Sequence, residues 1–131
     1  MSKPHTASMG MVLFAKNTAH LIEFYRCVLD LSVSESEDSH AVLVDDGVEL
    51  VIHAIPKKVA DSIDLSVPPV ERSVCAIKPV FWVKDLEVAG KMAEKLGGHL
   101  KPRESAWTIP GALVLDGCDP EGNVIQFKQS I

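Results

Sequence analysis

The sequence predicts one α+β domain made of two βαβββ modules, and three observations carry that prediction. Val12-Leu13-Phe14-Ala15-Lys16-Asn17 recurs 68 positions later as Val80-Phe81-Trp82-Val83-Lys84-Asp85. In each copy an apolar, strand-like run closes on Lys and then on a residue suited to cap a helix N-terminus. An amphipathic helix follows each copy at the same offset, and three short β-like runs follow each helix. An internal repeat of this kind constrains architecture more firmly than local propensity does.

Taken in order, the first apolar run ends at Lys16-Asn17, and Leu21, Phe24, Tyr25, Val28 and Leu29 then recur at i, i+3, i+4, i+7 and i+8 on one helix face. The runs Leu31 to Glu35, Ala41 to Val44 and Gly47 to Ala54 complete module one, about residues 9–56. Residues 57–77 read as a linker, with Pro68-Pro69 and no sustained period. In module two, about residues 78–130, the helix stripe becomes Ala89, Met92, Ala93 and Leu96, and Gly97-Gly98 supplies the left-handed stop. The runs His99 to Glu104, Gly111 to Leu115 and Asn123 to Lys128 follow. Asp119-Pro120-Glu121-Gly122 satisfies a type I turn, which read alone is a tight connection into the last strand.

The chain has 131 residues, the size of one ordinary domain. With 47% hydrophobic and 24% charged residues it has a globular composition, which excludes disorder and collagen-like structure. No apolar run approaches the ~20 residues that span a bilayer, and Met1 to Met9 holds no apolar core of a secretory signal. A cytoplasmic protein with no membrane partner is expected. The formal net charge of −5 disfavours a nucleic acid partner. Cys27, Cys75 and Cys118 follow neither disulfide nor zinc-finger spacing and read as reduced, buried thiols.

Two βαβββ modules, the helix sequence Glu23-Phe24-Tyr25 with Val28-Leu29, and the closing Asp119-Pro120-Glu121-Gly122-Asn123-Val124-Ile125-Gln126-Phe127 resemble the vicinal oxygen chelate superfamily. That group includes glyoxalase I, bleomycin resistance proteins, fosfomycin resistance enzymes and extradiol dioxygenases. The resemblance covers about residues 9–129. It implies curved mixed sheets around a cup, helices on the outer face, and a homodimer. In the enzymes of that group it also implies a divalent metal held by four strand positions, usually His, Gln or Glu. Those positions fall here on Gly10, Glu49, Lys78 and Gln126. Glycine has no donor and an ammonium has no lone pair, so one carboxylate and one amide oxygen remain. Catalytic metals usually rest on about three strong protein ligands, and the expected cofactor is therefore none.

Strand alternation sorts the remaining candidates. Met11, Leu13, Ala15, Phe81, Val83, Ile125 and Phe127 suit the core. Phe14 joins Gly10 on the opposite face, Val51 and His53 join Glu49, Trp82 joins Lys78, and Lys128 joins Gln126. His53 stands about 13 Å along the strand from Glu49, too far to share a metal, and either lines the cup or ends a solvated strand. His5, His20, His40 and His99 read as solvated. Trp82 either stacks on a flat or cationic ligand or fills space between modules. Trp107, in the extra segment Ser105 to Pro110, is either a flap or a dimer contact. Glu49 is either salt-bridged to Lys78 or Lys128 or a general base with a raised pKa.

The expectation is a metal-independent binder of an aromatic or cationic, antibiotic-like small molecule. The alternative is a metal-dependent lyase, isomerase or dioxygenase of the same superfamily that uses Glu49. The candidate ligand-binding set is Phe14, Glu49, Val51, His53, Lys78, Trp82, Trp107, Gln126 and Lys128, with Glu49 the candidate catalytic residue.

Overall fold

The structure, a computed structural model, describes residues 7–131, so His5 lies outside the described residues. Module one runs β1 (Met9–Ala15), α1 (Thr18–Val28), β2 (Ser32–Ser36), β3 (His40–Asp45) and β4 (Val48–Ala54). Its sheet has the order β1-β4-β3-β2, with β1 parallel to β4 and the other pairs antiparallel. A short helix, α2 (Lys57–Ala60), opens the connection to module two. Module two runs β5 (Val80–Trp82), α3 (Leu86–Lys95), β6 (His99–Leu100), a 3-10 turn (Arg103–Ser105), β7 (Trp107–Ile109), β8 (Ala112–Cys118) and β9 (Val124–Ser130). Its sheet repeats the first, in the order β5-β9-β8-β6, with β7 added along β8. The α+β class and the module pattern are those the sequence predicts.

The helices start where the repeat places their caps. Asn17 Oδ1 accepts from His20 N at 3.1 Å, and Asp85 Oδ1 accepts from Glu87 N at 2.8 Å and Val88 N at 3.1 Å. Each cap satisfies amides that have no carbonyl partner within the helix. α3 ends at Gly97, whose φ of +94° only glycine adopts readily. His20, exposed as expected, donates a ring N–H to Leu96 O at 2.7 Å and so also secures the end of α3.

Both helices bury their stripes in one core. Leu21, Phe24 and Tyr25 from α1, Ala89 and Ala93 from α3, and Leu50, Ile52, Phe81, Ile125 and Phe127 from the sheets form a single cluster. Ala15, Phe81, Ile125 and Phe127 are buried and Met11, Leu13 and Val83 pack partly buried against them, as alternation requires. Tyr25 bridges the modules, its ring edge-on to Phe24 at 5.1 Å and 5.8 Å from Phe81.

The turn at Asp119 to Gly122 does more than connect strands. Gly122 N donates to Asp119 O at 3.0 Å, which closes the turn. The buried Asp119 carboxylate accepts from Tyr25 Oη at 2.7 Å, Glu121 N at 2.9 Å, Asn123 N at 3.0 Å and Asn123 Nδ2 at 2.8 Å. The buried Glu121 carboxylate accepts from Lys16 N at 2.9 Å and Asn17 N at 2.8 Å, at the entrance to α1. Module two therefore completes the N-terminus of module one's helix.

Three local readings differ from expectation. The strand expected over His99 to Glu104 ends at Leu100, because Pro102 has no amide to donate and a 3-10 turn follows. The segment around Trp107, read as either a flap or a dimer contact, is strand β7, paired Trp107 to Val114 and Ile109 to Ala112. Cys118 is buried as expected, Cys27 is half-buried, and Cys75 is exposed.

Candidate functional site

Residues paired directly across strands share a face, so the registers assemble the candidate side chains into rows. In module one the rows are Gly10, Glu49, Val44, then Val12, Val51, Val42, then Phe14, His53, His40. Phe14 is 60% exposed, with its ring 5.9 Å from that of His53, and His53 stacks on His40 at 5.8 Å. His53 thus sits in a small aromatic strip at one end of the face, with Nδ1 donating to Ala54 O at 2.8 Å.

In module two the matching rows carry more chemistry. Trp82, Lys128, Val114 and Trp107 lie side by side across β5, β9, β8 and β7. Lys128 Nζ stands 5.7 Å from the centre of the Trp82 ring, within cation-π reach. Trp82 and Trp107 are 58% and 42% exposed, so a row with tryptophan at both ends faces outward. The next row is Val80, Gln126, Asp116. Asp116 accepts from Gln126 Nε2 at 3.0 Å and pairs with Lys78 Nζ at 3.1 Å.

Lys78 thus engages Asp116, and Lys128 lies over Trp82. The register also refines the metal positions. Gly10 is opposite Glu49, but Val80 is opposite Gln126, and Lys78 lies two residues before that strand position. Valine offers no donor either. A side chain at position 10 is further disfavoured because a Cβ there would lie 3.1 Å from Glu49 O.

A groove of about 280 Å³ opens where the two sheets approach each other. Gly10, Asp45, Asp46 and Glu49 line it from module one, and Val80 and Trp82 from module two. Among the sequence candidates the groove brings together Glu49 and Trp82. Phe14, Val51 and His53 remain on the module-one face, while Lys78, Trp107, Gln126 and Lys128 lie in the two rows of module two. Asp45 and Asp46 were missed. They lie in the β3 to β4 hairpin, where an acidic pair reads as turn chemistry, and only the third dimension aims that hairpin at Trp82.

Asp116 and His99 were missed as well. Asp116 is the hub of the second polar row. His99, expected to be solvated, lies against Glu71 and Cys118 at the end of the module-two face, where Cys118 is paired to it across β6 and β8.

No protein-family model matches this sequence, and neither does any curated protein. Solved structures do match over nearly the whole chain. A glyoxalase/bleomycin resistance protein/dioxygenase family enzyme from Burkholderia phytofirmans superposes with a TM-score of 0.66 at 15% identity, covering 93% of this chain and 97% of that one. Lactoylglutathione lyase from Agrobacterium tumefaciens gives 0.59 at 19% identity, covering 97% and 96%. The bleomycin resistance determinant encoded on transposon Tn5 gives 0.59 at 15% identity, covering 95% and 98%. The chain therefore has the fold of the glyoxalase/bleomycin resistance/dioxygenase structures. This is the vicinal oxygen chelate architecture that its sequence resembles.

Proposed function

We propose that this protein binds a small organic molecule, aromatic and cationic in character, in the groove between its two sheets and without a metal. The observation that carries this reading is the placement of the exposed Trp82 on the same groove as Asp45, Asp46 and Glu49. An indole face attracts a flat or cationic group, and three carboxylates beside it favour positive charge. The Lys128 ammonium over Trp82 shows that this ring already hosts a cation.

The donor set supports the metal-independent form of the reading. Glu49 is a carboxylate, but its neighbour is Gly10, and on the other sheet Gln126 donates its amide to Asp116 beside Lys78. These residues do not fit a resident catalytic divalent metal, which needs about three strong ligands. The structure named as a bleomycin resistance determinant has this fold, and a drug-like ligand class is the analogy drawn from it.

The same reading pairs two copies of the chain. β1 and β5 are the edge strands of their sheets, and Val12, Phe14, Val80 and Trp82 on and beside those edges are exposed. Light scattering on the purified protein checks this: a dimer mass is expected, and a monomer at all accessible concentrations would remove it.

Titration of intrinsic tryptophan fluorescence with cationic aromatic compounds, antibiotics included, tests the binding reading. A saturable change that disappears in Trp82→Leu and weakens in Glu49→Gln is expected. Absence of any saturable change across the panel would sink it.

A further inference from the structure

We propose that Glu71, His99 and Cys118 form a binding site for a soft divalent cation of the zinc class, distinct from the groove and built from three protein donors with a fourth position open to solvent. The three side chains come from the linker, β6 and β8, and their donor atoms all lie within 4.8 Å of one another. His99 Nε2 is 3.7 Å from Glu71 Oε1 and 3.8 Å from Cys118 Sγ. Donors at tetrahedral angles around zinc stand ~3.3 to 3.6 Å apart, given Zn–S near 2.3 Å and Zn–N or Zn–O near 2.0 Å. The two pairs that His99 makes therefore need to move only a few tenths of an ångström to meet an ion, and the Glu71–Cys118 pair lies within 4.8 Å.

Thiolate, imidazole and carboxylate together select zinc-like ions over magnesium or calcium, which prefer all-oxygen shells. Access and burial are divided in a useful way. Cys118 is fully buried, whereas the side chains of His99 and Glu71 are 39% and 34% exposed. An ion can reach the imidazole and carboxylate from solvent and meet the sulfur on the inner side.

The backbone around each donor is fixed independently of the cluster. Next to Glu71, Arg72 N donates to Gly122 O at 2.9 Å and Arg72 Nε donates to Asn123 Oδ1 at 3.0 Å. Gly122 makes this approach possible, since a Cβ there would lie 2.3 Å from Val70 O. Cys118 precedes Asp119, whose carboxylate is held by four hydrogen bonds, and His99 is paired with Cys118 across β6 and β8.

Without a metal the thiol stays protonated: burial, then the charges of Glu71 and Asp119, push its pKa up to about 11, against the lowering effect of a hydrogen bond from the His99 backbone. Coordination replaces the thiol proton, which leaves to solvent as the sulfur–metal bond forms. A bound ion would tie the linker to the second sheet and stabilise the folded chain by mass action.

The test is a cobalt(II) titration of the untagged full chain, stripped with chelator and kept reduced without thiol reagents, followed by displacement with zinc. One equivalent of cobalt with a thiolate-to-metal charge-transfer band is expected. Cys118→Ser should abolish the band, Cys75→Ser should keep it, and His99→Asn and Glu71→Gln should each weaken binding about tenfold or more. No charge-transfer band in the parent, or a band that survives Cys118→Ser, would overturn the proposal. If Cys118→Ser does not fold, the two variants at half-exposed positions decide: unchanged cobalt affinity in both would overturn it.

Discussion

Tyr25 donates its hydroxyl to Asp119 at 2.7 Å across 94 positions of sequence, joining the helix of module one to the closing turn of module two. Both residues are fully buried. Removing the donor leaves a buried carboxylate one hydrogen bond short, which costs about 1 to 3 kcal/mol. Tyr25→Phe is therefore expected to lower the denaturant midpoint with an unchanged slope. Asp119→Ala, which strands the Tyr25 hydroxyl, two amides and the Asn123 side chain together, should lower it further.

The same pair makes stability fall in alkali. Burial, and then the charge of Asp119 and the hydrogen bond to it, raise the Tyr25 pKa well above the ordinary value of 10.0. The folded state thus keeps the phenol neutral while the unfolded chain ionises it near its ordinary pKa. The contribution is fully present below about pH 10 and is lost as the pH rises beyond it. The chain has one tyrosine, so tyrosinate absorbance reads this group alone. That absorbance is expected to appear together with unfolding, and Tyr25→Phe should flatten the alkaline decline in stability. Tyrosinate formation near pH 10 in the folded protein would contradict this account.

Glu121 should matter out of proportion to its position in a turn. Its carboxylate accepts the amides of Lys16 and Asn17 at the start of α1. Glu121→Ala is expected to destabilise the protein by about 1 to 3 kcal/mol and to raise hydrogen exchange first in the opening turn of α1. Exchange confined to β9 would show that the carboxylate acts only locally.

For ligand binding, Trp82→Leu is expected to weaken the affinity by about 0.5 to 2 kcal/mol, roughly two- to thirtyfold. Trp107→Phe should change it less, because Trp107 stands at the far end of the row and outside the groove. Isothermal titration with a ligand found by fluorescence checks both. Equal losses would move the site out of the groove and along the tryptophan row.

Close packing at Gly98 gives a stability test free of charge effects. A Cβ there would lie 2.5 Å from both Cys118 O and Phe24 Cε2. One contact is backbone and the other is a ring held in the core, so neither yields easily. Gly98→Ala is expected to cost about 1 to 3 kcal/mol by thermal denaturation.

The architecture was legible because it is written twice. Period and spacing at Val12 and Val80, the two helix stripes and the caps at Asn17 and Asp85 reinforce each other, and local structure follows local pattern there. The site was legible only by face. Alternation put Phe14, Glu49 and Trp82 on the exposed side, but it could not reveal that Asp45 and Asp46 turn toward Trp82. Nor could it reveal that Lys78 would choose Asp116, since that choice depends on β8 lying beside β9. Glu71, His99 and Cys118 share no recognisable spacing, because one of them comes from the irregular stretch after α2 and the other two from paired strands. The strand at Trp107 was not legible because three residues of strand, paired on one side only, leave little periodicity to read.

The carboxylate of Glu121 also sets an order of events during synthesis. A nascent chain emerges from its N-terminus, so the strand and helix of module one are complete long before residue 121 is available. Until then the amides of Lys16 and Asn17 have only water to accept from them, and Tyr25 faces no Asp119. Module one on its own is thus a helix with an open end resting on a half-covered sheet. Its final packing waits for the last strand, which makes the closing turn the step that locks the two halves together.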